Sequence, residues 1–270
     1  MIRDITIGQY YPADSVIHRL DPRVKLVGTI VFLVSLFLFQ DFSGYIAATI
    51  YLACVIKISK VPLKFMLKGL KSIFILLLFS VIFNLFLTDG ETLIHLFWKV
   101  RITKEGLGIA VFMAIRLVYL IIGTSIMTLT TTPNDLTDGL EKGLRPLKKI
   151  HVPVHEIAMM MSIALRFIPI LLEETDKIMK AQMARGADFE SGNILQRAKS
   201  MIPILVPLFI SAFRRANDLA MAMEARCYHG GEGRTKMKPL IYKRRDFIAY
   251  ATFVIYLSVV VVINTVSKLL

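Results

Sequence analysis

Acidic residues are scarce in this chain: 20 Asp and Glu stand against 33 Lys and Arg, and the formal net charge is +13. Cysteine is scarcer still. Cys54 lies in an apolar stretch and Cys227 stands beside Arg226, so no disulfide framework is expected, and a reducing compartment or membrane burial suits both. A phosphate-binding loop is missing. The run Gly230-Gly231-Glu232-Gly233-Arg234-Thr235 lacks the Gly-Lys-Ser/Thr ending and reads as a flexible linker. A metal site is not supported either. His151 and His155 are four apart, but Pro153 lies between them and no further ligand is near. Glu173-Glu174 reads as a charged helix face, because Ile178 stands where an acid-pair protease would place its partner arginine. These gaps argue against nucleotide hydrolysis, a secreted disulfide scaffold and a metal centre within the chain.

What is abundant is apolar. Hydrophobic residues make up 55% of 270 positions and mean hydropathy is +0.61, where a soluble domain averages about 45–50%. That content excludes disorder. A nucleic-acid binder carries such a charge but is not this apolar, so no nucleic-acid partner is expected. An integral protein of the cell (plasma) membrane with its basic residues gathered on one side remains. Polar and charged residues run from Arg3 to Lys25 with no suitable cleavage site after the first apolar run, so no signal peptide is expected.

A bilayer core about 30 Å thick takes roughly 20 helical residues. Candidate spans are 25–40, 45–58, 72–87, 106–129 and 247–266, the first two short. Residues 57–71 hold Lys57, Lys60, Lys64, Lys68 and Lys71 without an acid. Residues 234–245 hold Arg234, Lys236, Lys238, Lys243, Arg244 and Arg245, again without one. Residues 89–105 balance Lys99, Arg101 and Lys104 against Asp89, Glu91 and Glu105, and the 41–44 turn has only Asp41. Basic residues stay in the cytoplasm. The N-terminus is therefore expected inside, the segment after Leu129 inside, and residues 267–270 outside.

Residues 131–246 differ in kind. Thr132 is a good N-cap, Pro133 suits the first helical position and Asp135 favours the positive helix end. Leu136, Leu140, Leu144 and Leu147 then mark a short amphipathic helix, which Pro146 and Pro153 break. Helical periodicity predicts a second helix over 154–185 and a third over 194–226. Their stripes include Met160, Met161, Leu165 and Ile168, then Leu205, Phe209, Phe213 and Met223. Arg166 and the polar second halves argue for amphipathic helices rather than spans. The organisation is thus 1–130, a four-span region; 131–233, a cytoplasmic helical region; and 234–270, a basic linker with the last span.

Arg116 interrupts the fourth span. An arginine at a helix centre costs roughly 2.5–3.5 kcal/mol on insertion scales. It is expected to face a neighbouring helix and bond a carbonyl or Asn84, with contact to a substrate or partner helix as the other reading. A second pattern is more informative. Ala184-Arg185-Gly186 closes the second amphipathic helix and Ala225-Arg226-Cys227 closes the third. One basic residue in a last turn is ordinary, since it complements the carbonyl end. Two Ala-Arg-small endings on consecutive long helices call for more. Arginine presents five donors in a fixed fork that suits a carboxylate in a partner's groove.

Five motifs together resemble the T component, the transmembrane coupling subunit of energy-coupling factor (ECF) transporters. They are Leu20-Asp21-Pro22-Arg23-Val24-Lys25-Leu26, Thr130-Thr131-Thr132-Pro133, Arg166-Phe167-Ile168-Pro169, Ala184-Arg185-Gly186-Ala187-Asp188-Phe189 and Met223-Glu224-Ala225-Arg226. The departure is Cys227, where the family usually has glycine; a left-handed backbone there would be strained. The resemblance implies an all-α membrane protein with about five transmembrane helices and three cytoplasmic-side amphipathic coupling helices, two of them long and crossing. It implies a non-catalytic subunit for vitamin or micronutrient uptake. Its partners would be two ABC-type ATPases, which hydrolyse the ATP, and a membrane-embedded, substrate-binding S component; it would bind no cofactor itself. Carried over, Arg185 and Arg226 with Ala184, Gly186, Ala225 and Cys227 dock the ATPases. Met160, Met161, Leu165, Phe209, Phe213 and Met223 would pack the S component or the core. The alternative is a substrate-translocating permease of a conventional ABC importer. A membrane enzyme finds no acid/base cluster to support it.

Overall fold

The computed structural model describes residues 10–39, 42–88, 92–97, 100–189, 191, 193–231 and 236–269. Arg3, Asp41, Asp89, Glu91, Lys99, Glu232, Gly233, Arg234 and Thr235, invoked above, lie outside them. The fold is that of an all-α membrane protein. Its helices are α1 Pro22–Leu38, α2 Phe42–Ser59, α3 Leu63–Leu87, α4 Lys104–Thr130, α5 Pro133–Gly143, α6 Val154–Ala184, α7 Ile194–Ser200, α8 Ile202–Glu224 and α9 Arg244–Leu269. A short 3-10 helix, Arg145–Ile150, follows α5. The segment between α3 and α4, expected as a loop, contains a small antiparallel hairpin, β1 Thr92–Phe97 and β2 Val100–Thr103, with Ile94 opposite Ile102.

Helices α2, α4, α6 and α9 are long and apolar enough to cross a membrane. Helix α3 joins them if its halves Leu63–Lys71 and Ile73–Phe86, bent by 63°, count as one span. The bend falls where the lysine-bearing half meets the apolar half. Helix α1 has 17 residues, at the lower limit of a span. Helix α6 qualifies by length and composition too, although Arg166 sits within its apolar part and is exposed. The helix expected over 194–226 is divided. Pro203 has no N–H to donate to the Lys199 carbonyl and its ring crowds that turn, so the chain breaks at Met201 between α7 and α8.

Two compact units are present: Leu140–Pro239, and the described residues up to Gly139 together with those from Leu240 onward. In the latter, α1, α2, α4 and α9 enclose Phe32, Leu36, Tyr45, Ala48, Leu52, Ile126, Tyr256 and Val260. Ser35 and the Tyr256 hydroxyl share a buried hydrogen bond of 2.7 Å, and Tyr51 stacks on Tyr256 at 4.4 Å between ring centroids.

The Asp21-Pro22-Arg23 motif ties the ends of three helices in this unit. Asp21 caps α1 by accepting from the Arg23 N–H at 2.9 Å, and Pro22 takes the first turn, where no donor is needed. The Arg23 guanidinium doubles back onto the Asp21 carboxylate at 3.0 and 2.9 Å and lies 3.9 Å over the Tyr242 ring. Asp246 is 1% exposed and accepts from the Asp21 N–H at 2.9 Å and the Lys243 N–H at 2.7 Å. Lys25 donates to the Thr130 carbonyl at 2.7 Å, closing the end of α4. The start of α1, the end of α4 and the start of α9 therefore share one side of the bundle. Thr132 caps α5 as expected, accepting from the Asp135 N–H at 3.2 Å.

Arg116 takes a structural position. Its Nε donates to the Tyr45 hydroxyl at 3.2 Å and its Nη2 to the Phe39 carbonyl at 3.5 Å, with the Phe112 ring 4.9 Å away. It thus bonds a carbonyl, as the sequence suggests, but not Asn84, which turns back to the Ser80 carbonyl at 2.8 Å. Phe39 ends α1 and carries an unpaired terminal carbonyl that a charge-assisted donor satisfies.

Candidate docking ends of the two long helices

Helices α6 and α8 pack against each other within the Leu140–Pro239 unit. Glu174 of α6 holds Arg215 of α8, with Nη2 at 2.8 Å and Nε at 3.2 Å from one carboxylate oxygen, and the other oxygen accepts from Ser211. Eight residues further along α6, Gln182 donates to the Pro203 carbonyl of α8 at 3.3 Å. Contacts that advance on one helix while receding on the other make the pair antiparallel. Sequence reasoning missed this pairing. The signal was present, since Ser211 and Arg215 are four apart and share a helix face, but their partner is far away in sequence.

The two helices end in the same way. After Ala184, the Gly186 N–H bonds the Met183 carbonyl and the Ala187 N–H bonds the Gln182 carbonyl, both at 3.0 Å. After Ala225, the Cys227 N–H bonds the Glu224 carbonyl at 2.8 Å and the Tyr228 N–H bonds the Met223 carbonyl at 3.1 Å. Both are Schellman endings, which satisfy two terminal carbonyls and require a left-handed residue. Gly186 takes that place with φ 87° and Cys227 with φ 55°. The Ala-Arg-small tripeptides are thus superimposable in hydrogen-bond register, with the arginine one residue before the left-handed turn in each. Ala184, Arg185, Gly186, Ala225, Arg226 and Cys227 are all exposed, and neither guanidinium has a partner among the described residues.

Their placement follows from the antiparallel pairing. Arg185 lies eleven residues past Glu174, and Arg226 lies eleven past Arg215. At 1.5 Å of rise per residue, the two ends project in opposite directions from the ion pair, about 33 Å apart along the helices.

The strain expected at Cys227 is present as a positive φ. A side chain in that region costs roughly 1–2 kcal/mol, whereas glycine adopts it freely. Cys227→Gly is expected to raise the melting temperature in detergent by about 2 °C, and Gly186→Ala to lower it. An unchanged temperature in both variants would mean that these turns relax without cost.

The apolar stripes are largely uncovered in the chain by itself. Met160 is 59% exposed, Met161 43%, Phe209 60% and Phe213 69%, while Leu165 and Met223 are half-buried. On α6, burial is confined to Val154 and Ala158. At the start of α6, His155 Nδ1 meets Glu141 at 2.9 Å, and Lys236 binds the other oxygen of the same carboxylate. Burial pushes the Glu141 carboxyl up, but the hydrogen bonds from His155 and Lys236 outweigh it and hold it below the usual range. The stability from this clasp is present above the ordinary glutamate value and is lost as pH falls through the lowered one. The structure thus brings His155 to a carboxylate, while His151 caps the 3-10 helix with φ 61°. Among the described residues no group of three His, Cys, Asp or Glu is placed to hold a metal.

Apolar helices long enough to cross a bilayer define the class as an integral membrane protein. A family model described as cobalt transport protein (CbiQ) matches residues 13–237. The energy-coupling factor transporter transmembrane protein EcfT of Clostridium kluyveri is 60% identical over 250 residues, covering 92% of this chain and 93% of the relative. The proteins of the same name from Ruminiclostridium cellulolyticum and Bacillus subtilis are 54% identical over 266 residues (98% and 99% covered) and 48% over 246 (91% and 93%). The chain belongs to this family, the transmembrane T components of energy-coupling factor transporters.

Proposed function

We propose that this chain is a non-catalytic coupling subunit. It transmits ATP-driven motion of two cytoplasmic ABC-type ATPases to a membrane-embedded S component that binds a vitamin or other micronutrient. The observation that carries this reading is the matched pair of helix ends. Arg185 and Arg226 sit in matching turns, exposed and without a hydrogen-bonding partner among the described residues, at opposite ends of one antiparallel pair. Each presents a guanidinium fork to one ATPase, so closure of the ATPase pair pulls on both ends of the same rigid element. The exposed Met160, Met161, Phe209 and Phe213 offer flexible and aromatic apolar surface to the S component. The N-terminus and the shared end of α1, α4 and α9 face the cytoplasm, where the lysines of 57–71 and the basic run before α9 belong. ATP is bound and hydrolysed by the partners, and no cofactor is held by this chain.

The test is composition. The tagged chain, purified from native membranes in mild detergent and weighed by native mass spectrometry, is expected with two ATPase subunits and one small membrane protein per copy. Two copies of this chain flanking one pathway would sink the reading in favour of a conventional permease.

A further inference from the structure

Within the unit formed by residues up to Gly139 and from Leu240 onward, a cleft of about 340 Å³ lies between α1, α2, α4 and α9. Its walls are apolar, with Phe32, Leu52, Val55, Ile126 and Phe253 among them, and its polar lining includes two cations, Lys25 and Arg245. Both stand in the first turns of their helices, at the side of the bundle where α1 and α9 begin. Lys25 is 9% exposed and spends two of its three hydrogens on the Thr130 and His18 carbonyls, at 2.7 and 3.1 Å. Arg245 Nε is buried and has no hydrogen-bond partner. The neighbouring carboxylates are engaged elsewhere. Asp21 is held by Arg23, Asp246 by the N–H groups of Asp21 and Lys243, and Asp135 by Thr132. The lip carries Ile58 and Ile248, 48% and 64% exposed, so the cleft opens sideways between α2 and α9, where a bilayer lies.

An apolar slot that ends in two cations and opens to lipid fits one chemistry. Free phosphate gains nothing from the walls, a lipid without phosphate leaves the buried Arg245 nitrogen unpaired, and a zwitterionic headgroup brings a further cation to a site that already holds Lys25 and Arg245. We infer that this cleft binds an anionic phospholipid, with an acyl chain between α1, α2, α4 and α9 and the phosphate on Lys25 and Arg245. Basic pockets between spans bind headgroups on this principle. The site belongs to a different unit from the docking ends and does not rest on their role.

The experiment uses the full chain, with whatever subunits accompany it, stripped of lipid in detergent. It is mixed with dioleoyl-phosphatidylglycerol, dioleoyl-phosphatidylcholine or sodium phosphate and examined by native mass spectrometry. The wild type is expected to retain one phosphatidylglycerol at a concentration about tenfold lower than phosphatidylcholine. Arg245→Gln is expected to lose that preference, Cys54→Trp in the cleft wall to lose both lipids, and phosphate to leave the lipid in place. A second readout keeps the cleft native. In a Cys227→Gly background, Cys54 is expected to lose reactivity toward N-ethylmaleimide with phosphatidylglycerol and to keep it with phosphatidylcholine. Equal retention of the two lipids, an Arg245→Gln chain with wild-type preference, displacement by phosphate alone, or Cys54 alkylation indifferent to lipid would each overturn the inference.

Discussion

A chain carrying Arg185→Ala together with Arg226→Ala is expected to lose uptake completely while folding and inserting normally. The backbone bonds that end α6 and α8 come from residues 186, 187, 227 and 228 and survive both changes. Neither guanidinium hydrogen-bonds or ion-pairs with another described residue, so the melting temperature is expected to stay at the wild-type value. What is lost lies in the complex. Truncating one partner of a buried charged contact costs about 2–5 kcal/mol. Two such losses weaken ATPase binding by at least about 4 kcal/mol, roughly a thousandfold. Co-purification of the ATPases and uptake of the cognate nutrient by cells are the measurements. Wild-type yield and wild-type uptake would end the docking reading. A drop in melting temperature alongside the loss would reassign the arginines to folding.

The second large effect is expected at Asp246. Its carboxylate reaches back to the Lys243 N–H at the start of α9 and across to the Asp21 N–H at the start of α1. One buried side chain thereby caps two helices. Asp246→Ala leaves both donors unsatisfied at a site 1% exposed. Hydrogen bonds to a charged group contribute about 1.5–3 kcal/mol each, so the loss is about 3–6 kcal/mol, a large share of a typical folding stability of 5–15 kcal/mol. Yield in the membrane fraction and thermal unfolding in detergent both report it. Asp246→Asn keeps an acceptor oxygen and is expected to fall between. An Asp246→Ala chain with wild-type yield and melting temperature would show that water or backbone movement supplies the missing acceptors.

Asp246 also shows where reading the chain residue by residue stops. The sequence places the first span from Lys25; the structure starts α1 at Pro22, where proline needs no donor and Asp21 supplies an acceptor. Nothing local indicates that the Asp21 N–H is answered from 225 residues away. Arg116 is similar. A cation inside an apolar stretch demands a polar partner, and Asn84 was the nearest polar candidate in the facing spans. The partners are instead the Phe39 carbonyl and the Tyr45 hydroxyl, since α1 ends and α2 begins beside that level of α4. Pro203 sits between these cases. Its break of the helix at Met201 follows from local sterics, yet the apolar periodicity runs through it and suggests one continuous helix.

By itself the sequence determined whatever depends on a residue and its near neighbours. That covers most of the helical segments, the basic flanks, the cap at Thr132, and the repeated Ala-Arg-small endings. Helix periodicity and backbone sterics act over a few residues, so the chain states them openly. The tertiary structure decided how those pieces meet. It set α6 antiparallel to α8 through Glu174 and Arg215, which sends Arg185 and Arg226 to opposite ends, and it gathered Lys25 and Arg245 at one cleft. Long-range pairing depends on which faces come together in space, and a one-dimensional pattern of charges and apolar residues leaves many such pairings open.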